Sequence, residues 1–164
     1  MDTDLHKLFI DQLQDIYDAE HRIAEAIPQK IDAAQSPDLK LSLEGHLQET
    51  KDHIARLERV FEELGETPER STCQATKGLL TEANELLETF RGTKAIDAAI
   101  VCAGQKVEHY EIATYGCLFT WAKQMGHSHI AAILKDSLSE EKEADSKLTA
   151  EAKTESNLVA EAIR

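Results

Sequence analysis

The sequence predicts an all-α protein in which four long helices form a bundle. Its 164 residues include only 7 glycines and 3 prolines, and aromatic residues make up 5% of the chain. Apolar residues recur in steps of three and four along four long segments, which is the period of a helix, whereas no segment shows the alternation of a strand. A chain of this length fits one domain with a sizeable buried core. We therefore expect a single domain over residues 1–164.

Capping residues and chain breakers divide the chain into four long helices and one short helix. Asp2 or Thr3 can cap the first helix, and the proline within Gln35–Asp38 favours a tight connection in which Ser or Asp caps the second. Gly65 and Gly126 suit the left-handed conformation that ends many helices. The polar last turns of the fourth long helix predict a frayed end. The expected ranges are about 3–34, 39–64, 94–125 and 128–160 for the long helices and about 73–91 for the short helix.

The lengths of the connections predict the topology. The first and second long helices are joined by a few residues, so they are expected to be antiparallel neighbours, and the same holds for the third and fourth. Nearly thirty residues, including the short helix, separate the second long helix from the third. Long crossover connections of this kind occur in four-helix bundles. The chain is therefore expected to form two helical hairpins.

Four glutamates lie at the middle of the four long helices, on the stripe that otherwise carries apolar residues. Glu20 and Glu49 are 16 and 13 residues from the first turn, near residue 36, while Glu111 and Glu141 are each 15 residues from the second turn, near residue 126. At 1.5 Å of rise per residue, these positions place all four at nearly one level of the bundle. A buried ionised carboxylate is costly unless it is paired or binds a metal. The pattern therefore predicts a metal site in the bundle core.

Further candidate ligands lie one helical turn from these glutamates. They are Glu108 before Glu111, Asp145 after Glu141, and His46 and His53 on either side of Glu49. Five or six carboxylates in one core would repel one another and resist ionising, and two divalent cations would offset that charge. Carboxylate oxygen with some imidazole favours iron or manganese, and zinc is less favoured. The alternative is a structural helical module whose acids form a partly neutral polar network.

Charge and cysteine content narrow the remaining function classes. The formal net charge of −13 disfavours binding to nucleic acid or to an anionic membrane. No apolar run is long enough to span a bilayer, and the N-terminus lacks the pattern of a signal peptide, so we expect a cytoplasmic protein. Cys73, Cys102 and Cys117 form no C-x-x-C pair, which makes a disulfide framework or a thiolate zinc site improbable. All three are expected to be buried or partly buried thiols.

Several local strings resemble those of a known family. They are Asp15–Glu20 (DIYDAE), His46–Thr50 (HLQET), Val107–Gly116 (VEHYEIATYG) and Glu140–Asp145 (EEKEAD). This arrangement resembles the ferritin-like di-metal carboxylate proteins, and the strings are similar to the YciE/YciF branch of bacterial stress-associated proteins. The resemblance covers nearly the whole chain, and the third string is the most specific. It implies a rubrerythrin-related bundle that forms a homodimer.

The resemblance also implies roles for individual glutamates. Glu108 and Glu111 match the Glu-x-x-Glu of the third helix of rubrerythrins. Glu20 matches the lone ligand of the first helix, and Glu49 and Glu141 match the bridging glutamates of the second and fourth helices.

The chain departs from the family pattern at the histidines. The family pattern Glu-x-x-His would place histidines three residues after Glu49 and Glu141, but these positions hold Asp52 and Ala144. For the histidine of the second helix, His46 is a better candidate than His53 because it belongs to a matching string. The histidine of the fourth helix is expected to be missing. Such a site is rich in oxygen ligands, which leaves manganese or a degraded structural site open. Without a C-x-x-C pair for a rubredoxin-type iron, any peroxidase activity would need an external electron donor.

Two tyrosines and the other histidines lie near or outside the predicted site. Tyr17 and Tyr115 are one turn from Glu20 and Glu111, where they can donate hydrogen bonds to ligand carboxylates or be buried against other partners. His109 faces away from the carboxylate edge and is expected at the surface or an interface. No role is assigned to the remaining histidines, which are His6, His21, His127 and His129.

Three functions are consistent with these observations. The first is a di-metal oxidoreductase that uses peroxide or oxygen, the second a stress protein that binds iron or manganese without turnover, and the third a structural module. Shell-forming iron storage depends on assembly surfaces that the sequence does not locate.

Overall fold

The computed structural model describes residues 3–162, which form helices and short connections without any strand. The predicted all-α class and helical bundle are confirmed. The expected cap Asp2 lies outside the described residues. The helices are α1 (Asp4–Ala33), α2 (Pro37–Leu64), α3 (Gln74–Phe90), α4 (Ile96–Gln124) and α5 (Ser128–Glu151), followed by a π-helical turn (Ala152–Ser156) and α6 (Asn157–Glu161).

The helix ends follow from local chemistry. The Thr3 hydroxyl accepts a hydrogen bond from the His6 backbone N–H at 3.1 Å and caps α1. Helix α2 begins two residues earlier than expected, because Ser36 is its cap and Pro37, whose fixed φ suits a first helical position, opens the helix. Gly65 ends α2 with a φ of +73°, as predicted for a left-handed glycine end.

The C-terminal segment differs from the expected frayed end. It continues as a π-helical turn and then as α6, in which the chain stays helical to Glu161. Ser156 is buried and its hydroxyl donates to the Glu151 carboxylate at 3.0 Å. A polar sequence can thus remain helical when its side chains bond within the same turn.

The four long helices pack in a closed ring. Helix α1 contacts α2 and α4, and α5 contacts α4 and α2, so the two hairpins face each other. The crossover helix α3 covers α4 and α1 on one side. No helix within residues 3–162 has both the length and the apolar character needed to cross a bilayer.

Two apolar clusters fill the bundle on either side of a polar layer. The first holds the N-terminal half of α1 against the α4–α5 turn, and its members include Phe9, Leu13, Ile16, Leu57, Phe61, Leu118 and Leu134. The second lies near the α1–α2 turn and includes Ile23, Ile27, Leu39, Leu43, Ile96, Ile100 and Leu148. The clusters bury the apolar area that drives folding. They hold the layer between them away from water.

The crossover is fastened to α1 by a buried carboxylate. Asp18 accepts hydrogen bonds from the Arg70 side chain at 2.9 Å and from the Cys73 backbone N–H at 2.9 Å, and Arg22 lies at 2.5 Å. Burial raises the pKa of Asp18, but these donors outweigh burial and lower it overall. The start of α3 is therefore fixed beside the middle of α1.

The α1–α2 turn is fastened to α4 in a similar way. Buried Asp97 accepts hydrogen bonds from the backbone N–H groups of Gln35 at 2.7 Å and Ser36 at 2.9 Å. These two N–H groups belong to the connection between the helices and have no partner within a helix ladder. The contact sets the height of the first hairpin against the second.

Replacement of Asp97 by Ala is expected to destabilise the fold by about 1–3 kcal/mol, because it leaves two backbone donors without their acceptor. Urea denaturation followed by circular dichroism measures the loss. Asp32→Ala, at an exposed position of the preceding turn of α1, is the matched control and should change stability by less than about 0.5 kcal/mol. Equal stability of the two variants would contradict the proposed anchoring role of Asp97.

Candidate metal centre

A layer of acidic side chains and histidines crosses the middle of the bundle. Helix α1 contributes Glu20, α4 contributes Glu108 and Glu111, α5 contributes Glu141, and all four are buried. Helix α2 contributes His46 and His53. These six residues are called the candidate metal centre below. Of the four glutamates that the spacing from the turns places at one level, Glu20, Glu111 and Glu141 belong to this layer and Glu49 does not.

One half of the centre is formed by Glu20, His53 and Glu141. The His53 Nδ1 atom lies 2.8 Å from Glu141 Oε1 and 3.2 Å from Glu20 Oε1. One ligand atom of each residue lies within 4.8 Å of the others. The three side chains come from three different helices and are all fully buried.

The other half is formed by His46, Glu108, Glu111 and Glu141, whose ligand atoms also lie within 4.8 Å of one another. His46 Nε2 is 3.4 Å from Glu108 Oε1. Glu141 belongs to both halves. In carboxylate-bridged bundles, two metal ions share a carboxylate that offers one oxygen to each of them.

The hydrogen bonding of these side chains fits bound cations. Both oxygens of Glu111 and both of Glu141 are buried without a hydrogen-bond partner among residues 3–162. The same holds for Glu20 Oε2, Glu108 Oε2 and Nδ1 of each histidine of the centre, although His53 Nδ1 and Glu141 Oε1 form an ion-pair contact at 2.8 Å without hydrogen-bond geometry. Buried polar atoms normally have a partner, so a concentration of unsatisfied lone-pair donors in one layer requires an explanation. Divalent cations satisfy such oxygens and nitrogens directly.

Burial shapes the protonation of the layer. It raises the pKa of Glu108 to about 9, and burial with neighbouring carboxylates raises that of Glu111 well above its ordinary value. Burial alone would lower the pKa of His53, but the carboxylates of Glu141 and Glu20 outweigh it and raise the value to about 11. Without metal, at neutral pH, Glu108 therefore holds a proton and His53 carries a positive charge, and the upward shift of the Glu111 pKa favours its protonated form.

A hydrogen-bonded chain orients His53 from outside the centre. Its Nε2 atom lies 2.8 Å from Glu140 Oε2, and Arg56 holds Glu140 through both guanidinium nitrogens at 2.5 and 2.8 Å. Because Glu140 accepts from Nε2, loss of the Nδ1 proton would leave the Nδ1 lone pair on the side of Glu20 and Glu141. Carboxylates behind ligand histidines commonly fix the ring in this manner. Sequence reasoning missed Glu140 and Arg56, although His53 at i−3 from Arg56 was a usable signal.

The two predicted tyrosines have different partners. The Tyr115 hydroxyl donates a short hydrogen bond to Glu20 Oε1, as expected of a donor to a ligand carboxylate. The Tyr17 hydroxyl instead donates to Glu58 at 3.0 Å and does not reach Glu20. Tyr17 is thus buried against another partner, which was the alternative left open by the sequence.

Glu49 and Asp145 are not brought into either half of the centre. The Glu49 side chain is 33% exposed, with Oε2 3.8 Å from His46 Nδ1 and Oε1 3.8 Å from Lys147 Nζ. The buried stripe of α2 passes through Thr50 at this height instead, since Thr50 is one turn from both histidines. Asp145 Oδ1 lies 3.3 Å from Nδ1 of His109, which is mostly exposed as expected.

The layer contains two histidines, although α5 supplies neither of them, as expected from Ala144. The second histidine of the layer is His53, which comes from α2 like His46, rather than from α5. Both imidazoles therefore lie on one helix, seven residues apart, and each meets a different half of the centre. The sequence offered both as candidates and ranked His46 first, because the contacts of His53 depend on the approach of α2 to α1 and α5.

Comparisons with known proteins agree with this architecture. Residues 4–161 match the family described as a domain of unknown function (DUF892). Protein YciF of Escherichia coli (strain K12) is 41% identical over 146 residues, which are 88% of this chain and 88% of that protein.

Two solved structures are also similar to this protein. The E. coli stress protein YciF has a TM-score of 0.89 at 40% identity, covering 96% of this chain and 99% of that one. YcfI of Rhodopseudomonas palustris, for which a structural role has been suggested, has a TM-score of 0.87 at 42% identity, covering 90% and 94%. The predicted likeness to the YciE/YciF branch is confirmed, and the chain belongs to the DUF892 family.

Proposed function

We propose that this protein binds two divalent metal ions, iron or manganese, in the core of its bundle and serves as a metal-binding stress protein. The observation that carries the proposal is the buried layer in which eight ligand atoms lack a hydrogen-bond partner among residues 3–162. Those atoms belong to the six residues that form the two groups with ligand spacing. The likeness to YciF, which is called a stress protein, supports the cellular setting.

Each half of the centre would hold one ion. Glu20 and His53 would bind the first, and His46, Glu108 and Glu111 the second, with Glu141 shared between them. This donor set has more oxygen than nitrogen and no thiolate, which suits iron or manganese better than zinc. Glu49 is a further candidate on the His46 side, and Asp145 would have to leave His109 to take part.

Iron or manganese bound in such a pair supplies a redox couple for reactions with oxygen or peroxide. The chain's own residues would hold the ligands in place and keep water out. Tyr115 would fix Glu20, and the Arg56–Glu140 pair would keep His53 in one orientation. An oxidoreductase function further requires an external electron donor. Homodimer formation and a cytoplasmic location belong to the same proposal.

Glu111→Gln is expected to stabilise the metal-free protein in a pH-dependent way. Glu111 has a folded-state pKa above its unfolded value, so its contribution to stability falls as pH rises beyond about 4.5. The variant should gain about 1–3 kcal/mol relative to the parent between pH 4.5 and pH 7. Urea denaturation in chelator at a series of pH values measures this difference.

Glu143→Gln, at an exposed position two residues from Glu141, is the control and should show no such pH trend. A Glu111→Gln variant that is less stable than the parent at pH 7 would indicate that the acids are satisfied by the protein itself.

Purified protein supplemented with iron or manganese is expected to hold close to two ions per chain. Glu141→Ala removes the shared ligand and should reduce binding at both positions, whereas Glu143→Ala should bind as the parent does, since its side chain lies on Lys147 at the surface. Elemental analysis after gel filtration gives the stoichiometry, and circular dichroism verifies the fold. Fewer than about half an ion per chain in the parent would count heavily against the proposal.

Turnover is tested separately on the loaded protein. A di-metal oxidoreductase should consume hydrogen peroxide in the presence of a reductant, and Glu141→Ala should lose that activity along with its metal. If the parent consumes peroxide no faster than free metal does, the oxidoreductase hypothesis is rejected and the non-catalytic metal-binding function remains.

A further inference from the structure

An apolar cavity lies beside the candidate metal centre, on the side of the α1–α2 turn. Its volume is about 350 Å³, and all four long helices contribute to its walls. Most of the lining is hydrocarbon, supplied by residues such as Ile27, Leu43, Ile100, Val107 and Leu148. Its polar lining includes His46, Glu49 and Glu108. Cavities of this size and composition are typical of small-molecule sites.

Lys30 is a buried cation in the wall of this cavity. The residue is 6% exposed, and burial lowers the pKa of its ammonium group. Among residues 3–162, no hydrogen bond and no ion pair within 4.0 Å reaches this group. The ammonium nitrogen itself keeps some accessible surface, so it faces the open space of the cavity. Long charged side chains are rarely buried to this extent unless they are paired.

The nearby acids do not supply the missing partner. Glu108 and Glu111, when ionised, raise the pKa of the Lys30 ammonium group and partly offset the effect of its burial. Their oxygens lie farther from it than the 4.0 Å of an ion pair. The three N–H donors of Lys30 therefore lack an acceptor among residues 3–162, and they are open to a cavity whose lining is mostly apolar.

We propose that the cavity binds an amphiphilic organic carboxylate of about eight to ten carbons, with its carboxylate on Lys30 and its chain against the apolar walls. The carboxylate would supply the acceptor that Lys30 lacks, in a setting where a charge-assisted hydrogen bond is strong. At roughly 30 Å³ for each water-sized group, the cavity holds about ten non-hydrogen atoms. The proposal does not depend on bound metal, because neither Lys30 nor the apolar wall belongs to the candidate metal centre.

The approach to the cavity lies between α2 and α5. Gly45, Ser42 and Leu41 of α2 and Lys147 of α5 line it, and the Leu41 side chain is 65% exposed. A β-carbon added at Gly45 would meet no atom within 4 Å. A bulky residue at this position can therefore obstruct the cavity without displacing the packed core.

Calorimetric titration with octanoate tests the proposal on the protein as purified and again after chelation. We expect a Kd of about 0.1–1 mM in both states. Octanol has the same chain length without the charge and should bind at least tenfold more weakly. Lys30→Met keeps an unbranched apolar stem and should weaken octanoate binding at least tenfold. The matched control, Lys77→Met on the exposed face of α3, should bind as the parent does.

Gly45→Phe provides an independent variant that leaves Lys30 unchanged. It should weaken octanoate binding at least tenfold, whereas Gly78→Phe, an exposed helical glycine of α3, should have no effect. Circular dichroism verifies that each variant is folded. Absence of octanoate binding at millimolar concentration, or equal binding of octanol, would overturn the proposal. Binding that disappears on chelation would place the carboxylate on a metal ion and overturn it as well.

Discussion

The burial of several carboxylates in one layer is the constraint on which the rest of the structure depends. Glu20, Glu108, Glu111 and Glu141 lie where a bundle would ordinarily place leucine, and their lone pairs largely lack protein partners. Such a layer opposes folding, because each carboxyl must either lose its charge or remain buried with it. Burial of the two apolar clusters on either side of the layer must therefore offset its unfavourable contribution to the free energy of folding. Selection for stability alone would replace these acids with apolar residues, as substitutions in buried ionic clusters of other proteins illustrate.

The position of the layer depends on contacts far from it. Asp97 sets the α1–α2 turn against α4, and Asp18 sets the start of α3 against α1. Each is a buried carboxylate that holds a connecting segment in place by accepting hydrogen bonds from its backbone N–H groups. Because the side chains of the centre come from four helices, a shift of one helix by a single turn would move its ligand by 5.4 Å and separate the groups. The two anchors thus preserve the site by fixing the relative heights of the helices.

The sequence could predict what depends on helical period and chain length. Residue spacing gives the apolar stripe of α1, the common level of the four glutamates and the ends of most helices. Glu20, Glu111 and Glu141 lie in the centre as expected. Glu49 was ambiguous because a stripe defined by steps of three or four admits a neighbour, and Thr50 takes the buried place. Glu140 could not be found in this way, since its role arises from contacts with α2 that are 84 and 87 residues away in sequence.

The two halves of the candidate metal centre are unequal in their access to small molecules. Glu20 and His53 are sealed by Tyr115 and by the Glu140–Arg56 pair, and both are fully buried. On the other side, the His46 side chain is 13% exposed and lines the apolar cavity together with Glu108. A molecule in this cavity contacts a mostly hydrocarbon wall that also holds Lys30 and His46. The same walls that favour an amphiphile would therefore hinder bulk water, and the chemistry open to the protein would be governed from the His46 side.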